Sequence, residues 1–339
     1  MNSLPSPFLM RRSLVLCLML SLSVANYSLF TSHYTLLSAQ TLTIAELNCE
    51  NLFDCGHDSL KQDHDWLPGS VRSWTPRRYW QKLNNIGQEL VACSETLPDL
   101  IALVEVENDS VMRDLTRRSV LRGARYDYLM TQSDDVRGID VALLYQHFTF
   151  RPVCYDMLHV VPLPGMRPTR DILYVKGEFI SGDTLHVFVV HAPSRYGGER
   201  ATRPNRRVVA DRLLQAVDSV RVLSPDAKII VTGDFNDYAA SPALCFLAEH
   251  HFINVTSGAS GSHGARATYR YQGQWNSIDH VLVNAPLLQH VDTAYIFDAP
   301  FLLEEDRRYG GVKPLRTYNG YRYQRGFSDH LPLVVRLKF

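Results

Sequence analysis

The sequence predicts an α/β protein of mixed (α+β) type, two packed mixed β-sheets flanked by helices. Three observations predict it. Apolar segments of strand length alternate with segments of helical period along the chain. Several strand segments lie too close together for a crossover helix, so antiparallel pairs must accompany parallel ones. No repeat, low-complexity linker or motif marks a boundary that would split the chain. Its 339 residues, 45% hydrophobic and 21% charged, supply ample apolar side chains for one large core.

The elements follow in order. Leu42–Leu47 alternates apolar and polar residues and reads as a strand. Thr75-Pro76 opens a helical pattern that runs to about Thr96, with Pro in the first turn where a missing N–H costs little. Asp99–Val106 is a short apolar run suited to a buried strand, and Asp109–Val120 is helical. Ile139–Tyr145, Ile172–Phe179 and Leu185–Val190 read as strands. Arg203–Val222 carries apolar residues at helical spacing, and Lys228–Val231 is another buried strand. Ser241-Pro242 starts a short helix, with Ser as cap. Ile278–Val283 and Leu331–Leu337 are the last strands, and 301–326, rich in Arg, Tyr and Gly, reads as a long surface loop.

The first 40 residues read as a secretory signal peptide. Arg11 and Arg12 precede the apolar run Ser13–Ser23, and small residues follow at Leu37-Ser38-Ala39-Gln40. A retained anchor is the alternative, since the distance from Ser23 to Gln40 is long for such a peptide. The expectation is therefore a secreted or periplasmic monomer without stable membrane association after processing. Residues 1–40 hold two Arg and no acidic side chain, so of 35 basic and 35 acidic groups the remainder keeps 33 and 35, a formal charge of −2. No global basic field attracts a polyanion; it would have to be held locally. Setting aside Cys17 with residues 1–40, the five remaining cysteines, Cys49, Cys55, Cys93, Cys154 and Cys245, are odd in number and lack paired spacing, which argues against a disulfide framework. A single Cys49–Cys55 bridge and buried thiols both stay open.

Six polar clusters stand at the ends of apolar runs: Asn48 after Leu42–Leu47, Glu105 within Leu100–Val106, His191 after Val190, Asp234 and Asn236 after Val231, Asp279 before Val281, and Asp329-His330 before Leu331. Strand ends on a rigid sheet hold active-site groups well. Any one of these acids alone is more simply a turn or cap residue, but six together are harder to explain that way. Carboxylates and an Asn amide are hard oxygen ligands suited to Mg²⁺, Mn²⁺ or Ca²⁺. A His beside an acid can move protons, with a second carboxylate to orient it. No Cys/His spacing suits structural zinc, no Walker loop is present, and no Gly-x-Ser-x-Gly elbow occurs.

The ordered set Asn48-x-Glu50-Asn51-Leu52-Phe53, Glu105-Val106-Glu107-Asn108, Arg137 to Tyr145, Gly233-Asp234-Phe235-Asn236-Asp237, Ile278-Asp279-His280 and Ser328-Asp329-His330 resembles the endonuclease/exonuclease/phosphatase superfamily. That superfamily includes pancreatic-type deoxyribonucleases and abasic-site endonucleases, and the resemblance covers residues 41–339. It implies a four-layer αββα sandwich and a metal-dependent phosphodiesterase with Mg²⁺ (or Mn²⁺ or Ca²⁺) as cofactor. It further implies that Glu105 is the principal metal ligand, assisted by Asn48 and Asp329. By the same resemblance His330 sits opposite the scissile phosphate as base or phosphate-stabilising group, and Asp279 fixes its tautomer. Asp234 would handle the attacking water or leaving oxygen, Asn236 would bond the phosphate, and His191 would be a second phosphate contact.

Two basic features add to this. Arg137 reads either as a phosphate contact or as a surface Arg beside Asp134 and Asp135. Arg195, Arg200, Arg203, Arg206 and Arg207 gather near His191, either as a grip on backbone phosphate or as a solvated helix start. The stretch Asp54, His57, Asp58, Asp63, His64, Asp65 reads as a surface loop more readily than as a second metal site. Trp66, Trp74, Tyr79 and Trp80 would suit base stacking or a buried helix face. The leading expectation is a nuclease whose partner is nucleic acid as substrate. The alternative is a phosphatase or phospholipase-type diesterase acting on inositol phosphates or phospholipid headgroups. A binding module that lost catalysis fits poorly, because every member of the set is present.

Overall fold

A computed structural model describes residues 40–339; the signal-peptide reading falls on residues outside them. Among the described residues no helix is long and apolar enough to cross a membrane. Numbered along the chain, one six-stranded sheet contains β1 (Thr41–Leu52), β2 (Leu100–Val106), β3 (Asp127–Met130), β4 (Asp140–Tyr145), β13 (Val291–Ile296) and β18 (Leu333–Lys338). The other contains β5 (Phe150–Leu158), β6 (Ile172–Phe179), β7 (Thr184–His191), β8 (Lys228–Asp234), β9 (Phe252–Asn254) and β12 (Asp279–Asn284). Three hairpins lie outside them: β10 (Tyr269–Tyr271) with β11 (Gln274–Asn276), β14 (Leu303–Glu305) with β15 (Val312–Pro314), and β16 (Tyr318–Asn319) with β17 (Arg322–Tyr323).

The strand orders are β13-β18-β1-β2-β4-β3 and β5-β6-β7-β8-β12-β9. Each sheet holds one parallel pair at its centre, β1 with β2 and β7 with β8, and is antiparallel elsewhere. A parallel pair needs a crossover, and the helices Pro76–Ala92 and Glu199–Leu223 provide the two.

Side-chain parity in the strands builds the layers. Leu42 and Ile44 of β1 face the second sheet and join Leu173, Val187, Val189 and Val281 in the central core. Ala45 and Leu47, on the opposite face, pack under Leu83, Ile86 and Leu90 of the helix Pro76–Ala92. Phe188 and Val190 of β7 likewise back onto Leu213 and Val217 of the helix Glu199–Leu223. Helix, sheet, sheet, helix is the expected four-layer αββα sandwich.

Several boundaries differ from the sequence reading. The helix expected from Arg203 begins at Glu199 and tolerates Pro204, whose ring falls in its second turn. β3, β5, β9 and β13 lack a continuous apolar run, because edge or near-edge strands bury little of their length. The loop expected over 301–326 contains two of the hairpins. All five cysteines of the described residues are free thiols, so the Cys49–Cys55 bridge is not formed. Trp66, Trp74 and Tyr79 are buried, with Phe53 stacked on Trp66 at 5.4 Å, which settles them as core rather than base-stacking residues.

The helix Pro76–Ala92 also buries charge. Lys82 Nζ donates to Thr317 Oγ1 at 2.6 Å and to the Phe327 carbonyl, and so ties the 317–327 segment to the sandwich. Glu89, on the same helix, is fully buried with neither carboxylate oxygen hydrogen-bonded. Burial pushes its carboxyl up to about 8 against the pull of Lys82. The folded chain therefore keeps a proton that the unfolded chain releases near pH 4.5, and stability falls as pH rises from there to about 8. Glu89→Gln removes the charge and keeps the shape. It is expected to leave Tm unchanged near pH 4.5 and to raise stability at pH 8 by on the order of 2–4 kcal/mol. Thermal scans across this pH range check it; a variant destabilised equally at both ends would contradict it.

Candidate active site

The strand topology puts the chemistry on one edge of the sandwich. Asn48, Glu105, His191 and Asp234 lie at or near the carboxyl ends of β1, β2, β7 and β8, the four parallel strands. β12 runs antiparallel to β8, with Asp279 opposite Asp234, and the segment before β18 brings in Asp329 and His330. All of these except Asp279 line one cavity of about 510 Å³, together with Asn236, Arg137 and Arg195. Asp279 lies just behind, bonded to His330.

Local backbone irregularity aims several of these side chains. The β1–β2 register shifts between Asn48 and Leu52, and the β2–β4 register shifts between Val104 and Val106. Glu50, Asn51, Glu105 and Asn236 all have left-handed φ, between 49° and 61°. Such bulges turn a side chain out of the regular alternation, and they cluster where function requires it. Gly233 has φ +136°, and a Cβ there would lie 1.9 Å from the Val190 carbonyl oxygen. Only glycine lets β8 approach β7 this closely beside Asp234. Gly233→Ala is expected to lower Tm by about 5 °C or more and to abolish turnover; an unchanged Tm would show that β7 can move aside.

Two hydrogen-bonded groups form the centre. His330 Nδ1 lies 2.8 and 3.0 Å from the two Asp279 oxygens, and Asp279 also accepts from the Thr268 hydroxyl. This fixes the ring and leaves Nε2 for the cavity. Burial alone would lower the pKa of His330, but Asp279, with Asp329 and Asp234 nearby, raises it well above the usual value and favours the imidazolium. The second group is Asp234, which accepts from Asn48 Nδ2 at 3.1 Å and from the Asn236 backbone N–H at 2.7 Å. Burial first, then Asp279, pushes Asp234 up to about 7. Asn236 Nδ2 donates to the Ala192 carbonyl at 3.1 Å, which ties this loop to the end of β7.

His191 Nε2 is 3.9 Å from both Glu105 Oε1 and Asp234 Oδ2, and its Nδ1 has no partner. Burial, with Arg170 and Arg137 nearby, lowers its pKa well below the usual value and keeps the ring neutral. Glu105 accepts from the Asn51 backbone N–H at 2.9 Å and faces Arg137 at 3.5 Å; Arg137 also donates to Asn51 Oδ1. The Arg137 side chain thus faces the cavity, while its backbone N–H donates to Asp135 Oδ1 at 2.9 Å. Asp329 pairs with Arg316 Nη2 at 2.8 Å, and Arg316 Nε reaches Glu50 at 3.1 Å.

The donor set fits a divalent cation. Glu105, Asp329 and the Asn48 amide are hard oxygen donors that line the same cavity, and Asp234 is raised by burial first and then by the neighbouring Asp279 carboxylate. Among the described residues, the His/Cys/Asp/Glu group whose ligand atoms lie within 4.8 Å of one another is Asp234, Asp279 and His330. The His57–His64 stretch forms no such group; His57 Nδ1 instead bonds Asp63 at 2.6 Å.

The arginine cluster expected to grip phosphate is largely spent within the protein. Arg203 pairs with Glu199, Arg206 is buried against Asp237 at 3.1 Å, and Arg207 pairs with Asp211. Arg195 alone of the five reaches the cavity, where its guanidinium lies 4.0 Å from the Tyr238 ring centroid. Sequence reasoning missed Arg170, Arg316, Thr268 and Tyr269. Arg170 is buried between Asp135 and the Ala192 carbonyl, and Tyr269 packs its ring 4.9 Å from that of His330. None of the four sits in a local motif that would have marked it.

Fold and site together define a phosphoric ester hydrolase. The chain belongs to the endonuclease/exonuclease/phosphatase family, whose sequence profile matches residues 43–338. Enzymes of this family are in general divalent-metal dependent. Similar solved structures include an endonuclease/exonuclease/phosphatase family protein from Bacteroides thetaiotaomicron, 17% identical with TM-score 0.59, covering 89% of this chain and 99% of that one. A mannosyl-6-phosphatase of the same organism is 18% identical with TM-score 0.58, covering 88% and 100%. The human Nocturnin catalytic domain, with bound sulfate anion, is 15% identical with TM-score 0.53, covering 88% and 94%. At these identities the likeness concerns the fold. No curated protein matches the chain in sequence.

Proposed function

We propose that the protein is a secreted or periplasmic, Mg²⁺-dependent phosphodiesterase that cleaves nucleic acid, with Mn²⁺ or Ca²⁺ as alternative ions. The observation that supports this best is the convergence of the His330–Asp279 pair, the Asn48–Asp234–Asn236 group and Glu105 in one open cavity. Glu105, Asn48 and Asp329 would hold the ion, which when bound supplies charge neutralisation for the non-bridging phosphate oxygens. The chain's own groups do the rest. His330, kept cationic by Asp279, donates Nε2–H to a phosphoryl oxygen. Asp234 is elevated toward neutrality and has lone pairs beyond its two hydrogen bonds, which suits it to orient and deprotonate a water. Asn236, Arg137 and Arg195 position the phosphate, and neutral His191 lies between Glu105 and Asp234 as a further polar contact.

A phosphomonoesterase acting on a sugar or inositol phosphate is the second reading, favoured by the formal charge of −2 over residues 41–339 and by the likeness to a mannosyl-6-phosphatase. Incubation with supercoiled plasmid, with and without Mg²⁺, separates the two. Metal-dependent nicking that Asp234→Ala lacks supports the nuclease. Intact plasmid, DNA strands and RNA alongside phosphate release from a sugar phosphate support the second reading.

A further inference from the structure

The cavity carries a feature that phosphodiester chemistry does not require, a border of tyrosines. Tyr196, Tyr238, Tyr269 and Tyr271 all line it. Tyr196 is 93% exposed, Tyr271 59% and Tyr238 39%, so large ring faces stand in water at the mouth of the site. Tyr269 continues this surface inward to its contact with His330.

The rings are presented on a braced frame. Tyr269 and Tyr271 belong to the β10–β11 hairpin, whose two turn residues, Gln272 and Gly273, both have positive φ, the geometry of a tight two-residue turn. Arg270 anchors the hairpin to the β14–β15 connection, donating to the Gly310 carbonyl at 2.7 Å and to that of Val312, with Asp306 at 3.4 Å. The tip is packed as well, since a Cβ on Gly273 would lie 2.6 Å from Tyr309 Cβ. Tyr238 comes from the loop after β8, and its ring carries the Arg195 guanidinium at 4.0 Å. An arginine on a tyrosine face, beside further rings, is a sequence-tolerant platform for flat π-systems.

Charge points the same way. A duplex is gripped through many phosphates at once, which calls for a broad basic surface. Residues 41–339 carry a formal charge of −2, and Arg203, Arg206 and Arg207 are occupied by Glu199, Asp237 and Asp211. Affinity in this cavity must lean on stacking, and the base faces inside a duplex are already covered. We infer that the site selects single-stranded nucleic acid, with unpaired bases beside the scissile phosphate stacked on Tyr238, Tyr271 and Tyr196. This rests on the nuclease reading above.

The test compares kcat/KM of the full chain with Mg²⁺ on three end-labelled 20-mers: a DNA strand, the RNA strand of the same sequence, and the blunt DNA duplex. At least one single strand is expected to be cleaved about 10-fold or more faster than the duplex. Tyr238→Ala and Tyr271→Ala should each raise its KM by about 5-fold or more with kcat little changed, whereas Tyr271→Phe keeps the wild-type KM. Duplex cleaved as fast as either single strand, or alanine variants with unaltered KM, overturns the inference and leaves the nuclease reading standing. If none of the three is cleaved by a preparation that hydrolyses bis(4-nitrophenyl) phosphate or mannose 6-phosphate, the nuclease reading falls and the inference with it.

Discussion

His330→Gln is expected to lower kcat/KM for phosphodiester cleavage by about 10²–10⁴-fold, with the fold retained. The imidazole is the one side chain in the cavity whose second nitrogen is locked by a carboxylate, through the 2.8 Å contact to Asp279. It is therefore the group best placed to present a charged N–H to a phosphoryl oxygen. Gln preserves a donor for Asp279 but carries no charge. His330→Ala should cost as much in turnover and more in stability, because it leaves Asp279 buried with only the Thr268 hydroxyl as a side-chain partner. Asp279→Asn should fall between wild type and His330→Gln, since the ring stays but loses the charge that holds its proton. Circular dichroism and Tm establish folding, and steady-state kinetics then decide. Wild-type turnover in a folded His330→Gln protein would remove His330 from the site.

Glu105→Gln is expected to raise the Mg²⁺ or Mn²⁺ concentration needed for half-maximal turnover by about 10–100-fold, with partial recovery at high metal. Glu105 sits at a bulge with φ +61°, held by the Asn51 backbone N–H at 2.9 Å, so its carboxylate is fixed before anything binds. Gln keeps that geometry and removes one negative charge, which isolates the electrostatic contribution to ion binding. Titration calorimetry with Mn²⁺ gives a readout independent of turnover, and the affinity of the metal-free protein should fall in the same proportion. An unchanged midpoint and unchanged Mn²⁺ affinity would move the ion to the Asp234, Asp279 and His330 group, whose ligand atoms lie within 4.8 Å of one another.

The arginine stretch shows how composition misleads at a site. The spacing of Arg203, Arg206 and Arg207 near His191 looked like a phosphate grip, yet Glu199, Asp237 and Asp211 take them. Glu199 and Asp211 lie four residues away on the same helix, a pairing available from sequence. Asp237 reaches Arg206 only because β8 ends beside that helix. Conversely, Arg316 holds Asp329 and Glu50 from within a segment read as a plain surface loop. Its role depends on Lys82 tying that segment down from a helix over 230 residues away in sequence.

By itself the sequence determined the two sheets, the two crossover helices and the candidate site residues. Continuous apolar runs require burial on both faces, and acids at their ends are costly unless paired, solvated or metal-bound. It also determined the order of the polar motifs, each of which lies at or near a strand end in the structure. The tertiary structure alone decided how those ends meet. Side-chain parity places Asn48 on the inter-sheet face of β1, where it bonds Asp234 of the other sheet, and the β8–β12 register sets Asp279 opposite Asp234. It likewise decided which arginines stay available and which tyrosines rim the cavity. Those outcomes depend on contacts between residues far apart in the chain, fixed by packing and register, and no local pattern of residue types encodes them.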